Sequence, residues 1–268
     1  MIQRIYLDNN ATTGVDPRVL EAMLPELTTT PNNPSSVHHF GQEAKARLSQ
    51  ARETIASFLG VKAQEIIFTS GGTEAMNLLL RGFFPDDVSG HAITSNVEHA
   101  CVYQTLKHLE ERGLEVDYLP AGLFGAVMPD QVKAAIRPNT RFIVLTAASN
   151  ETGVKHDLNA IGQIALDAGI PLVVDGVAWL GKELFTVHPG IAGMSFSGHK
   201  IHAPKGTGFA FVRSSLKLSP QLTGGFQEHN LRAGTQNLPG IIGLAKAISL
   251  LKTELPDATH RMASLRDK

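Results

Sequence analysis

The sequence predicts an α/β fold in which a seven-stranded, mostly parallel sheet is flanked by helices. Two observations predict it. Short β-rich runs alternate with helical patterns along the chain, which is typical of parallel strands joined by crossover helices. The chain has 268 residues, of which 43% are hydrophobic, so it can bury a large core. That length leaves room for one large domain or two modest ones.

Seven predicted strands alternate with the predicted helices. The strands are short runs rich in apolar and β-branched residues, at 65–69, 91–95, 115–119, 141–147, 171–175, 193–197 and 208–213. The helices share apolar residues that recur three and four positions apart, at 42–59, 73–81, 102–112, 129–135, 158–168 and 237–255. The turn-rich segment 31–36 predicts a loop.

Composition excludes several classes of function. Lys and Arg number 24 and Asp and Glu number 25, with no basic block, so we expect no nucleic-acid partner. No apolar run has the length of a signal peptide or a membrane span, and the only cysteine, Cys101, excludes an internal disulfide. We therefore expect a cytoplasmic protein without a membrane partner.

One lysine, Lys200, stands in an unusual setting of serine, glycine and histidine between two apolar β-like runs. A surface lysine needs no such frame. An amine that forms a Schiff base needs a fixed approach, nearby donors for an anion and partial desolvation that lowers its pKa. The frame predicts that Lys200 has a chemical role.

Three other motif matches are weaker. Ser197 and Lys200 fit the S-x-x-K pattern of penicillin-recognising enzymes, but a β-like run precedes them and no helix is predicted to carry the pair. Residues 176–182 match a phosphate loop up to Glu183, which lacks the hydroxyl that would hold magnesium. His199 and His202 lie near each other without cysteine or carboxylate neighbours in sequence, so no metal site is predicted.

A phosphate-bearing aldehyde cofactor explains the remaining polar residues. The segment 70–77 follows a strand and opens a helix, so Gly72, Thr73 and the free amides could hold a phosphate; alternatively, Thr73 caps the helix. Asp175 ends an apolar strand, where it could pair with a protonated pyridine nitrogen or cap the next turn. His99 could stack on a flat ring, and Asn150 could donate to a ring oxygen or shape a turn.

Together these motifs resemble the class V, fold type I pyridoxal phosphate (PLP) enzymes, and specifically the cysteine desulfurases of the NifS and IscS type. The resemblance covers nearly all of the chain. The segments that carry it are 6–13, 33–36 with His38 and Gly41, 66–74, 98–99, 150–153, 174–175, 195–200, 204–206 and 232–235.

The resemblance implies a role for each residue. Lys200 would bind PLP covalently and, once freed by L-cysteine, remove the α-proton of the substrate. Alanine and a persulfide for iron–sulfur cluster assembly would be the products, with a scaffold protein as a possible sulfur acceptor. The cofactor contacts would be Asp175 to the pyridine nitrogen, His99 to the ring face, Asn150 to the ring hydroxyl, and Gly72, Thr73, Ser197 and His199 to the phosphate, joined by Thr235 from the second subunit of a homodimer.

The resemblance also implies a division of the chain and two departures. Residues 1–15 would belong to a small domain, 16–240 to the PLP-binding domain and 241–268 to a helix that leads into a C-terminal domain largely missing here. Ala178 stands where the family carries glutamine, and the family's persulfide cysteine and carboxylate-binding arginine would lie beyond Lys268. Cys101 is a poor substitute nucleophile in its apolar setting.

Three hypotheses remain open at this point. The first is a shortened cysteine desulfurase, which we favour. The second is a PLP enzyme of the same fold with another reaction, such as a selenocysteine lyase or another β-elimination. The third is a non-catalytic relative that binds PLP or a protein, which Ala178 favours.

Overall fold

The structure is a computed structural model that describes residues 4–28 and 33–268. Residues 1–3 of the predicted N-terminal segment and 31–32 of the predicted loop lie outside this part. The strands are β1 (Ile66–Thr69), β2 (His91–Ser95), β3 (Glu115–Leu119), β4 (Thr140–Thr146), β5 (Leu172–Asp175), β6 (Ile191–Ser197) and β7 (Gly208–Val212). The helices are α1 (Pro17–Thr28), α2 (His39–Leu59), α3 (Gly72–Arg81), α4 (Ala100–Glu110), α5 (Pro129–Ala135), α6 (Leu158–Ala168) and α7 (Leu238–Arg266).

The seven strands form one sheet in the order β1-β7-β6-β5-β4-β2-β3. Strands β3, β2, β4, β5 and β6 are parallel, whereas β7 is antiparallel to both β1 and β6. Only residues 198–207 separate β6 from β7, which is too short for a crossover that would bring β7 back in the parallel direction. The predicted mostly parallel, seven-stranded sheet is confirmed.

The two faces of the sheet bury separate apolar layers. Because side chains alternate along a strand, Phe142 and Val144 enter one layer while Ile143 and Leu145 enter the other. Residues of α3 and α4 cover the first layer, and residues of α2, α6 and α7 cover the second. With both faces covered, the carboxyl ends of the central strands are left as the edge where a ligand can approach.

The helix at α7 is longer than predicted. It continues through Pro256 to Arg266, and it packs against α1 and α2 with Ile248 and Leu255 buried. The predicted domain boundary between residues 240 and 241 therefore falls within a continuous helix. Among the described residues, no helix combines the length and apolarity that crossing a membrane would require.

Candidate functional site

A cavity of about 250 Å³ opens at the carboxyl edge of the sheet. Its wall contains residues from the start of α3, the start of α4 and the ends of β4, β5 and β6. Eight of the nine predicted site residues line it: Gly72, Thr73, His99, Asn150, Asp175, Ser197, His199 and Lys200. The ninth, Thr235, is exposed and does not line the cavity in the single chain.

The start of α3 forms one end of the cavity. Gly71 is the N-cap, so the alternative that Thr73 caps the helix is wrong. The backbone N–H groups of Gly72 and Thr73 have no partner among the described residues, as expected in a first helical turn. A Cβ on Gly72 would lie 2.5 Å from Cγ2 of Val177, and so only glycine lets the loop after β5 approach this closely.

Ser197 and His199 face the same end. The Cβ atom of Ser197 lies 3.7 Å from an ideal Cβ on Gly72, so the end of β6 meets the first turn of α3. Nδ1 of His199 is 3.1 Å from the Thr12 hydroxyl, which fixes the ring on the N-terminal segment. Burial and the positive charges of Lys200 and Lys205 lower the pKa of His199. Two free amides, two hydroxyls and an imidazole are a donor set suited to a phosphate.

Lys200 ends a single 3₁₀ turn, Gly198–Lys200, that directly follows β6. Its ammonium donates a hydrogen bond to the backbone carbonyl of Asn10. Burial lowers the pKa of Lys200, although the charges of Asp8 and Asp175 oppose that shift. A half-buried amine with a lowered pKa has the properties of a nucleophile or a base.

Asp175 lies at the end of β5 and is only 4% exposed. Its Oδ1 accepts hydrogen bonds from the Val177 amide at 3.0 Å and the Ser195 hydroxyl at 3.2 Å, so it does shape the next turn. Its Oδ2 faces the Cys101 sulfur at 3.7 Å. Burial raises the pKa of Asp175 because it disfavours the charged carboxylate. A cation in the cavity would oppose this effect and stabilise the ionised form.

His99 is both exposed to the cavity and tied to a helix. It is the N-cap of α4, and its Nδ1 accepts a hydrogen bond from the Cys101 amide at 3.1 Å. That bond leaves the proton of a neutral ring on Nε2. Sequence reasoning placed His99 beside the site but missed this capping role, for which histidine is an uncommon residue.

Cys101 also lines the cavity, which the sequence did not predict. Burial, together with the charge of Asp175, raises the pKa of Cys101 to about 12. One ligand atom from each of His99, Cys101 and Asp175 lies within 4.8 Å of the other two, the only such group in the described residues. In the absence of a metal, this pKa keeps the Cys101 thiol protonated, so the group is not pre-formed as a thiolate ligand set.

Glu98 is a further titratable group that sequence reasoning passed over. The Ser95 hydroxyl donates to its Oε1 at 2.5 Å, and its Oε2 is shut off from solvent. Burial raises the pKa of Glu98 to about 8, and the charge of Asp175 adds to this shift. The only sequence feature that pointed to Glu98 was its position directly before His99.

The loop that carries Asn150 is joined to the N-terminal segment, since the side-chain amide of Asn10 donates to the Asn150 carbonyl. Ala178 lines the cavity with a methyl group.

The phosphate-loop match at 176–182 is a chance match, because turns and no α-helix follow it between Glu183 and β6. Ser197 and Lys200 are likewise joined by a 3₁₀ turn rather than the α-helix that S-x-x-K requires.

The sheet order and the cavity at its carboxyl edge define an α/β protein of the fold type I, PLP-dependent transferase class. A family model described as aminotransferase class-V matches residues 5–267. Among curated relatives, cysteine desulfurase IscS of Methanosarcina thermophila is 41% identical over 267 residues, covering 98% of this chain and 66% of the relative. Putative cysteine desulfurase IscS 1 of Bacillus subtilis is 40% identical, covering 99% and 71%.

Solved structures agree with these relatives. A NifS-like protein superposes with a TM-score of 0.94 at 37% identity, covering 99% of this chain and 74% of that one. The structure of SspA in complex with cysteine gives a TM-score of 0.89 at 39% identity, covering 92% and 72%. The chain belongs to the class-V aminotransferase family, among its cysteine desulfurases, which depend on PLP. It spans about two thirds of the length of the curated relatives that it matches.

Proposed function

We propose that this chain carries the PLP-binding site of a cysteine desulfurase, which converts L-cysteine to L-alanine and passes the sulfur to a thiol. One observation carries the proposal above all. The Lys200 amine, the buried Asp175 carboxylate and a phosphate-type donor set line one cavity. Membership of the desulfurase family and the cysteine in complex with SspA support the choice of substrate.

The residues present suit PLP. In our assignment the phosphate lies at the first turn of α3, where free amides and hydroxyls converge, and Lys200 binds the cofactor covalently. Asp175 pairs with the pyridine nitrogen, His99 covers a face of the ring and Asn150 contacts the ring hydroxyl. The proposed phosphate ligands are Gly72, Thr73, Ser197 and His199, with Thr235 contributed by the second subunit of a homodimer.

When bound, PLP supplies an electron sink for negative charge that develops on the α-carbon of the substrate. The protein supplies the rest. Burial lowers the pKa of Lys200, which favours the free-base form of Nζ that takes the α-proton. Asp175, already held by Val177 and Ser195, keeps an oxygen towards the cavity, where it can hold a cationic ring nitrogen.

Cys101 does not fit the role of sulfur acceptor. It is the only cysteine in the sequence, and its pKa of about 12 keeps the thiol protonated at neutral pH. The acceptor in our proposal is therefore a thiol from outside this sequence, such as that of a scaffold protein. The same observation favours a second candidate, a β-elimination at the same site that requires no enzyme thiol.

Two further assignments belong to this proposal. Residues 16–240 form the PLP-binding domain, residues 1–15 belong to a small domain, and residues 241–268 belong to the helix that leads towards the rest of that small domain. The protein acts in the cytoplasm as a homodimer. The exposed position of Thr235, outside the cavity of its own chain, supports the dimer.

Absorption spectroscopy tests the cofactor site. We expect protein with added PLP to develop a visible band that persists after dialysis, and Lys200→Ala to abolish it. Lys217→Ala, which removes an exposed lysine, is the control and should keep the band. A Lys200→Ala protein that retains the band would refute the assignment.

Product analysis tests the reaction. With L-cysteine and an added thiol, we expect alanine and sulfide in equal amounts, unchanged by Cys101→Ala. Sulfide accompanied by pyruvate instead of alanine would favour β-elimination. Loss of both products in Cys101→Ala, with the visible band intact, would contradict our exclusion of Cys101.

A further inference from the structure

Two carboxyl groups lie close together at the cavity that contains Lys200. Asp175 lines the cavity, whereas Glu98 does not. The charge of Asp175 nevertheless acts on Glu98, and the charges of both act on the Cys101 thiol, so the three groups form one cluster. The proposed function uses Asp175 and leaves Glu98 without a role.

Hydrogen bonds favour the negative charge on Asp175 and the proton on Glu98. Three donors serve Asp175, namely the Val177 amide, the Ser195 hydroxyl and the Cys101 thiol. Oε1 of Glu98 accepts from the Ser95 hydroxyl, but Oε2 is closed to solvent and has no hydrogen-bond partner in the described part of the chain. Two neighbouring buried carboxyl groups do not readily ionise together, so the less well solvated Glu98 keeps its proton.

Asp175 provides the charge that holds this proton in place. The groups around Glu98 come from the ends of three strands and the start of α4: the Ser95 hydroxyl, the Thr146 backbone, the Asp175 carboxylate, the His99 ring and the Cys101 thiol. Among the described residues, Asp175 carries the one charge that acts on Glu98. Burial and that charge together raise the pKa of Glu98 to about 8.

A cation that pairs with Asp175 would change this balance. It would offset the negative charge that disfavours ionisation of Glu98. Because Oε2 of Glu98 is already closed to solvent, a group that fills the cavity adds little further desolvation. The cost of ionising Glu98 should therefore fall when the cavity is filled by a ligand with a cationic ring.

We propose that Glu98 is a positioning residue that acts through Asp175 and releases its proton to solvent when PLP fills the cavity. The inference rests on the proposed function and adds a proton-linked residue to it. In the empty protein, the proton on Glu98 leaves Asp175 as the single anion that awaits the ring nitrogen. In the loaded protein, the ionised Glu98 adds a second negative charge beside Asp175, which favours the protonated form of that nitrogen.

Proton release on cofactor loading provides the test. PLP is added to lightly buffered protein in a pH-stat, and the base needed to hold the pH is measured for each PLP bound, with loading verified by the visible band. The protons of Lys200 and of PLP itself contribute equally in the parent protein and in Glu98→Gln. The difference between these two proteins therefore isolates Glu98.

We expect the parent protein to release about half a proton or more per PLP beyond Glu98→Gln between about pH 7 and about pH 8. The difference should vanish near about pH 5, where Glu98 holds its proton with and without PLP. Glu53→Gln, which removes an exposed carboxylate, is the matched control and should release as many protons as the parent.

Ser95→Ala provides a second measurement if Glu98→Gln does not fold. It removes the hydroxyl that stabilises the ionised form of Glu98, so the release of the proton should move to higher pH. Equal release in the parent and Glu98→Gln at every pH would overturn the inference, and so would an unchanged pH range in Ser95→Ala. A parent protein that develops no visible band is a different result, because it would contradict the proposed function itself.

Discussion

Glu98 makes the stability of the protein sensitive to pH. Its pKa rises from 4.5 to about 8 in the folded chain, so between these values the folded state holds a proton that the unfolded state has lost. The free energy of unfolding therefore decreases as pH rises through this range. We expect a loss of about 3–4 kcal/mol between about pH 5 and about pH 8, measured by urea unfolding.

Glu98→Gln should reduce this dependence, because glutamine keeps the shape of the side chain without a titrating proton. Asp175 also has a raised pKa and acts with the same sign, so a smaller slope should remain. Glu53→Gln, which removes an exposed carboxylate, should leave the slope of unfolding free energy against pH equal to that of the parent protein. An identical slope in Glu98→Gln and the parent would show that Glu98 is ionised in the folded protein.

Within the site, the sequence predicted individual residues but not the contacts between them. Asp175, His99 and Lys200 were predicted from their residue types and from their positions just at or after strand ends. They lie at one edge because parallel strands present their carboxyl ends together. The contact between Cys101 and Asp175, and the approach of Val177 to Gly72, were not predicted. Such contacts depend on how loops from distant parts of the chain pack, and no local pattern encodes them.

An unusual turn after β7 is held by one buried ion pair. Glu228, His229 and Asn230 have positive φ values of 46°, 56° and 66°, a conformation that costs energy for non-glycine residues. Both oxygens of Glu228 are engaged by Arg52 at 2.8 Å, and one also accepts from the Phe68 amide in β1. This pair fixes the segment that leads to Thr235.

Glu228→Ala should therefore destabilise the protein strongly. It leaves the Arg52 charge and the Phe68 amide without their partner, and we expect a loss of about 3–5 kcal/mol in the free energy of unfolding. Lys155→Ala removes the exposed lysine that pairs with Glu183 and should cost about 1 kcal/mol or less. Equal losses in the two variants, measured by urea unfolding, would show that the buried pair does not hold the turn.

At the level of elements, the sequence located every strand and missed one helix. All seven strands lie within two residues of their predicted bounds, because short buried runs stand out against turn-rich flanks. The helix α1 was not predicted. Pro25 interrupts its sequence, and its apolar residues do not all mark one buried face, because Leu20 and Leu24 are exposed. The antiparallel direction of β7 was not specified, although the short connection from β6 requires it.

Across the whole molecule, the N-terminal segment is joined to the turn that carries Lys200. The amide and the hydroxyl of Thr13 both donate to the His199 carbonyl at 2.9 Å, and its hydroxyl accepts from the His202 amide at 2.8 Å. Thr12 contacts the His199 ring, and Asp16 donates its amide to the His202 carbonyl. The position of Lys200 thus depends on residues that are far apart in sequence.

Thr13→Val tests this dependence, because valine keeps the shape of threonine and removes both hydroxyl bonds. Thr13 is 6% exposed, so water cannot readily replace the hydroxyl, and we expect a loss of about 1–3 kcal/mol. Hydrogen exchange should increase in residues 8–16 and 198–202 together, and the affinity for PLP should fall. Thr54→Val, which removes an exposed hydroxyl from α2, should leave both regions protected. Faster exchange confined to residues 8–16, with unchanged PLP affinity, would show that the N-terminal segment lies on the Lys200 turn without positioning it.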